Sequence, residues 1–267
     1  MDQQFEAFVF ATLLSCQEPQ DVIMCGPAAA AVWGMPSIDP WPRVVHVLDP
    51  DRQMGPSRYI RPRGGAPVQP REVKGALVTP PARTVIDLAC TGSMENALAA
   101  ADYALREKLC TRADLETEAA ALAPGARGRS VCRVLVDLAD GLSGSAGESL
   151  SRLVMFRANF SRPVLQREYR DELGLIGYVD FDLPGLIGEF DGKIKYKVPP
   201  TATPEEASTI VWEEKIREDR LRRIKPVARW TWSVARTPGA LARLLISHGL
   251  RPLPRSTWFD LGERPAS

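Results

Sequence analysis

At 267 residues the chain has room for one large or two ordinary domains, each with its own core. Its 45% hydrophobic and 25% charged residues, with a net charge of +1, are those of a globular protein, and the overall charge points to no partner. No apolar run reaches the roughly 18 residues of a membrane-spanning helix, so no membrane span is expected.

Charge is uneven along the chain. Residues 1–140 carry 14 basic and 17 acidic side chains, whereas residues 141–267 carry 20 and 16, which favours an anionic partner for the second half. The five cysteines (Cys16, Cys25, Cys90, Cys110, Cys132) have no CxxC spacing and an odd total. A zinc site or disulfide framework is therefore not expected, and a reducing cytosol fits better. His46 and His248 are too few for His-rich metal sites or Cys/His triads. The opening MDQQFEAFVFATLLSC lacks the basic region of a signal peptide, so a mature cytoplasmic protein is expected.

Taken in order, residues 5–14 read as a short helix with Phe5, Phe8, Val9 and Leu13 inward. Residues 22–25 read as a strand, followed by an Ala-rich helix with Pro27 in its first turn and Gly34 at its C-cap. Residues 44–48, 58–62 and 76–79 are further short strands, predicting a small sheet with a helix or two. His46 alternates with Val45 and Val47 and reads as an ordinary strand histidine. From Pro80 the pattern turns helical. PPARTVIDLACTG has Pro at its start and Gly92 at its end, and Ser93 and Thr111 read as N-caps of the next two helices. Residues 129–138 form one more helix, and region 80–140 reads as a helical connector. Arg83 and Asp87, four apart, suit an ion pair.

DGLSGSAG, residues 140–147, marks a boundary between an α/β and helical region, 1–140, and a second domain, 141–267. The second domain reads as a helix over 145–159, strands over 164–169, 176–183 and 186–191, and a charged helix from Thr203 or Pro204 to Ile224. A strand over 227–232 and a helix over 238–248 follow, with a loosely held tail. The order α-β-β-β-α-β-α predicts a mixed sheet flanked by helices, an α/β (α+β) fold.

The richest stretch is YVDFDLPGLIGEFDGKIKY, residues 178–196. With Pro184-Gly185 as a hairpin turn, Leu183 pairs with Leu186, and Asp180 falls opposite Glu189. Alternation then gives one apolar face, with Val179, Phe181, Leu183, Leu186 and Phe190, and one acidic face, with Asp180, Asp182, Glu189 and Asp191. Like charges across a ladder cost up to roughly 1 kcal/mol per pair, so a positive group belongs between them. Paired carboxylates can hold Mg²⁺ or Mn²⁺ and activate water for phosphodiester cleavage, with Lys193 and Lys195 on the same face. A solvated face whose lysines offset the acids explains the pattern equally well.

Here the sequence resembles a known family. YVDFDLPGLIGEFDGKIKY, WEEKIREDRLRR and VARWTWSVA resemble a C-terminal domain found in a large actinobacterial family, one related to the very-short-patch-repair endonucleases of the PD-(D/E)XK nuclease fold. AAAAVWGMP, VVHVLDP, VTPPARTVIDLA and ALAAADYALREKL resemble the rest of that family, the AbiEi-type antitoxin-like proteins of type IV toxin–antitoxin systems. The resemblance covers nearly the whole chain. It implies Asp180, Glu189 and the first-helix Glu148 as metal ligands, with Asp191 beside them. Position 191 is Asp where the nuclease signature has Lys, which leaves either that role to Lys193 or a site that binds metal poorly or does not cleave. A helical wheel sets Glu148 opposite Leu150, Leu153 and Val154, on an exposed side unless this helix is covered on both sides. Family members usually open with a winged helix-turn-helix, and no basic recognition helix precedes Val22, so that module is expected to be missing.

The charged helix supplies Lys215, Arg217, Arg220 and Arg223 as candidate phosphate contacts. Glu213, Glu214, Glu218 and Asp219 are interleaved, so a solvated helix of internal pairs is the alternative. Trp230 and Trp232 share a strand face and read as core. Two functions are expected from these residues. One is a DNA-associated, metal-dependent endodeoxyribonuclease using Asp180, Glu189 and Lys193. The other is an antitoxin or transcriptional regulator, partnered by a toxin gene product, with an inactive nuclease-like domain.

Overall fold

Short strands separated by Pro and Gly, and helices rich in Ala, build the first half of the chain. In the computed structural model, which describes residues 2–16, 18–192 and 203–259, the chain divides into two units, one up to Gly141 and one from Leu142 onward. The architecture is mixed α/β, an α+β arrangement with one mixed sheet in each unit.

In the first unit α1 (Asp2–Leu14) is followed by β1 (Ile23–Met24), α2 (Gly26–Trp33), β2 (Val45–Leu48), β3 (Ile60–Arg63), β4 (Arg71–Val73) and β5 (Ala76–Val78). The strands lie in the order β3-β2-β1-β5-β4. β1 runs parallel to β5, β2 parallel to β3, and the other two pairings are antiparallel. Phe5, Val9 and Leu13 of α1 and the alanines of α2 pack on Val45, Val47 and Val78. Gly34 ends α2 in the left-handed region (φ 76°), as a C-cap glycine should. β4 was not expected, because three residues with one apolar side chain leave no alternation to read. It is set by a tight turn at Lys74-Gly75, both with positive φ (52° and 80°).

Four helices complete this unit: α3 (Pro81–Thr91), α4 (Met94–Arg106), α5 (Arg112–Ala121) and α6 (Arg129–Leu138). Ser93 and Thr111 cap α4 and α5 through their side chains, and Asp114 closes a capping box with Thr111. These helices are not a connector. Each has an apolar face that must be covered, and Val85, Ile86, Leu98, Leu115, Leu135 and Leu138 are buried within the unit.

The second unit contains α7 (Ala146–Arg157), β6 (Val164–Asp171), β7 (Gly174–Leu183), β8 (Leu186–Asp191), α8 (Pro204–Ile224), β9 (Val227–Thr231), α9 (Trp232–Arg236) and α10 (Ala240–Ser247). Its sheet runs β6-β7-β8-β9, with the first three strands antiparallel and β9 parallel to β8. The hairpin has the expected register, with Leu183 opposite Leu186 and Phe181 opposite Gly188. Trp230 of β9 stacks on Phe181, with ring centroids 5.4 Å apart, and donates from Nε1 to Ser151 Oγ of α7 at 2.7 Å. Gly188 leaves room for this ring, since a Cβ there would lie 2.6 Å from Trp230. The same logic brings α7 down on the sheet: a Cβ on Gly147 would lie 2.0 Å from the Phe190 ring.

Two expectations near the C-terminus need correction. β9 ends at Thr231, and Trp232 opens α9 instead of sharing the Trp230 face. The chain after α10 is not loosely held as far as Trp258, whose ring is buried and whose Nε1 donates to Phe160 O at 2.7 Å. A large indole with a satisfied N–H anchors what its Pro-rich neighbours left unspecified.

Candidate functional site

Ser145 caps α7, its Oγ accepting from Glu148 N at 3.3 Å and donating to Glu148 Oε1 at 2.9 Å. Gly144 N donates to Glu148 Oε2 at 2.8 Å. Glu148 is thereby fixed at the helix N-terminus, and at 8% exposure it is buried. The expectation of an exposed glutamate fails because α7 is covered on more than one side: Gly147, Ser149, Ser151 and Arg152 are buried along with Leu150 and Leu153.

Gln166 of β6 reaches the same place. Its Nε2 lies 3.4 Å from both Glu148 Oε2 and Asp180 Oδ1, bridging the two acids. Its backbone is left-handed (φ 49°), uncommon for a residue other than glycine. Asp180 Oδ2 accepts from Phe190 N at 2.7 Å across the hairpin. Burial, reinforced by the charge on Asp180, pushes the Glu148 carboxyl up to about 7, against the pull of the Gly144, Ser145 and Gln166 donors.

Glu189 is buried as well, and its Oε1 accepts from Arg217 Nη2 at 3.1 Å. Burial raises its pKa, while the Arg217 guanidinium opposes the shift. Arg217 is itself positioned by Tyr178 O at 2.8 Å and by Glu214. The rest of the acidic face follows suit. Asp182 takes Arg167 at 2.6 Å, the Tyr169 hydroxyl at 2.7 Å and the Lys225 ammonium. Burial pushes Asp182 up, but those donors outweigh it and hold the carboxyl below its usual range. Asp191 lies 3.7 Å from Arg229. The positive charge beside these acids thus comes from α8, from Lys225 and Arg229 after it, and from Arg167 of β6.

Lys193 and Lys195 lie outside the described residues. Among those described, no three His, Cys, Asp or Glu side chains gather about a point that could hold a metal ion. Oxygens of Glu148 and Asp180 accept from N–H donors, and Glu189 Oε1 accepts from a guanidinium.

The four candidate phosphate contacts separate into two kinds. Arg217 and Arg220 face the sheet, Arg220 being paired with Asp171 and hydrogen-bonded to Leu175 O and Gly174 O. Lys215 and Arg223 are exposed, with Lys215 Nζ 5.8 Å from the Trp212 ring centroid. A second basic group lies in the first unit, where Arg52, Arg58, Arg61 and Arg63 have no ion-pair partner among the described residues. The nearest acid in sequence with a buried side chain, Asp49, is spent on the N–H groups of Gln53 and Met54 at 3.1 and 2.8 Å. Arg63 Nη2 lies 3.3 Å from His46 Nε2. Burial and the charges of Arg63 and Arg61 push His46 down to about 4, so it stays neutral near pH 7. RYIRPRGG was the available signal for this group, together with Arg52 just before it. For Gln166 the sequence offered none.

Comparison with known proteins places a family on the first unit. Residues 22–138 match the model of the AbiEi antitoxin C-terminal domain. Two relatives from Mycobacterium tuberculosis, the uncharacterized proteins MT2308 (strain CDC 1551 / Oshkosh) and Rv2248 (strain H37Rv), are each 36% identical over 166 residues. The match spans 61% of this chain and 59% of each relative. No solved structure matches.

Glu148 makes the site's charge measurable. Its raised pKa means that the folded protein holds the proton more tightly than the unfolded chain. Stability from this source is fully present below about pH 4.5, the ordinary glutamate value, and is lost as pH rises through about 7. Glu148→Gln should therefore gain on the wild type between pH 5 and pH 8, by up to about 3 kcal/mol. Urea denaturation of both proteins across that range checks it, and a pH-independent difference would contradict the assignment.

Proposed function

We propose that this chain is an antitoxin-type regulator that neutralises a partner toxin, and that its second unit serves as a binding scaffold without cleaving nucleic acid. The match of residues 22–138 to the AbiEi antitoxin C-terminal domain carries this reading. The resemblance of the upstream motifs to type IV antitoxins makes a nucleotidyltransferase-type toxin the partner class. The N–H donors on Glu148 and Asp180 and the guanidinium on Glu189 support the non-catalytic role of the second unit. DNA contact falls to the unpaired arginines at positions 52, 58 and 61, with the exposed Lys215 and Arg223 the cations of α8 still open to a phosphate, since Arg217 and Arg220 would have to break ion pairs to reach one.

Co-expression with a toxin encoded beside this gene should restore growth, and the Arg52→Ala/Arg58→Ala/Arg61→Ala variant should keep that protection while losing gel-shift affinity for DNA. Undiminished toxicity, or DNA binding unchanged in the variant, contradicts the corresponding half of the proposal.

A second reading has its own support. It rests on the resemblance to the nuclease fold and on Glu148 and Asp180, which stand on either side of one amide. In that reading Asp180, Glu189 and Lys193 would act in Mg²⁺- or Mn²⁺-dependent cleavage, with Glu148 and Asp191 as further ligands. Plasmid incubated with the protein and either metal, beside Asp180→Ala, decides it: cleavage lost in the variant supports hydrolysis, and intact plasmid in every lane removes it.

A further inference from the structure

Cys90 sits in the last turn of α3 and Cys132 near the start of α6, 42 positions apart in sequence, yet their Sγ atoms are 3.6 Å apart. Backbone packing brings them together. Gly128, which precedes α6 with φ 86°, lies so close to α3 that a Cβ there would be 2.7 Å from Cys90 Cα. Both thiols are free. Cys90 is half-buried, whereas Cys132 is fully enclosed.

This asymmetry divides the roles. A hydrogen bond from the Cys132 thiol favours the Cys90 thiolate and draws its pKa down, in spite of partial burial. The same bond, with burial, holds the proton on Cys132. Burial pushes Cys25 up to about 12 and Cys110 up to about 11, so neither competes as a thiolate near neutral pH. A reachable, thiolate-prone sulfur beside an enclosed second thiol is the arrangement of an attacking and a resolving cysteine.

We infer that Cys90 and Cys132 form a reversible redox pair, which a hydroperoxide converts to a disulfide tying α3 to α6. The Cys90 thiolate attacks the terminal peroxide oxygen, the O–O bond breaks, and the alkoxide or hydroxide leaves with a proton as alcohol or water. Cys90 is then a sulfenic acid. Cys132 attacks its sulfur, the S–O bond breaks, and the hydroxyl departs with the Cys132 proton as water. Two thiols lose two electrons and the peroxide gains them. A dithiol reductant reverses the change by exchange. The bond would cross-link the segment that matches the antitoxin domain and restrict its unfolded state, so oxidation should stabilise the first unit.

The test uses the full, reduced chain treated with hydrogen peroxide, then alkylated and mapped by mass spectrometry. The expected result is a loss of two hydrogen masses, a Cys90–Cys132 linked peptide, full reversal by dithiothreitol, and a melting temperature raised by roughly 5–15 °C. Cys132→Ser should stop at a Cys90 sulfenic acid that dimedone traps. Should that variant not fold, the wild-type peptide map decides alone. Alkylation of both Cys90 and Cys132 after peroxide, or oxidation of Cys90 to the sulfinic acid with no linked peptide, would overturn the inference.

Discussion

The acidic face of the second unit depends on how α8 is held. This helix is 21 residues long, yet among its described residues only Leu221 is buried, against Ile176, Ile187 and Val227. Val211, Trp212, Ile216 and Ile224 remain exposed. A single leucine supplies roughly 1.5–3 kcal/mol by burial, too little to seat a helix that spans about 30 Å. Charge completes the seat: Arg217 on Glu189, Arg220 on Asp171, and Lys225, just after the helix, on Asp182. Each cation also donates to a strand carbonyl, Tyr178 O, Leu175 O or Leu183 O, so the helix is keyed to the backbone of the sheet.

The same bonds decide what the acidic face can do. Removing one partner from a buried pair costs several kcal/mol, because the other charge is left without compensation. A metal ion at Glu189 would compete with Arg217 for the carboxylate, and a DNA phosphate that drew Arg217 away would leave Glu189 without its guanidinium. Helix position, carboxylate charge and the commitment of Arg217 and Arg220 to the sheet are therefore one fact seen from three sides. The unpaired arginines of the first unit have no such commitment, which is why phosphate contact is assigned there.

Much of this was legible in the sequence, wherever local chemistry dominates. Pro184-Gly185 fixed the hairpin register, Ser93, Thr111 and Thr203 announced their helices, and the facing acids required a cation. What could not be read was partnership over distance. Glu148 looked exposed because a wheel describes one helix and cannot see what covers it. Arg217 reads as a solvated arginine until Glu189, 28 residues away, is folded against it. Cys90 and Cys132 carry no spacing signature, since the turn of chain that joins them is set by four packed helices. β4 escaped notice because its pairing comes from a turn and not from its own side chains.

The most direct test of the account is whether this acidic face has any affinity for a divalent cation. Titrating Mn²⁺ into the purified protein by calorimetry should give no saturable heat in the wild type, and a binding isotherm should emerge in Arg217→Ala, where Glu189 loses its guanidinium. A stoichiometric isotherm in the wild type that vanishes in Asp180→Ala or Glu189→Ala would contradict it.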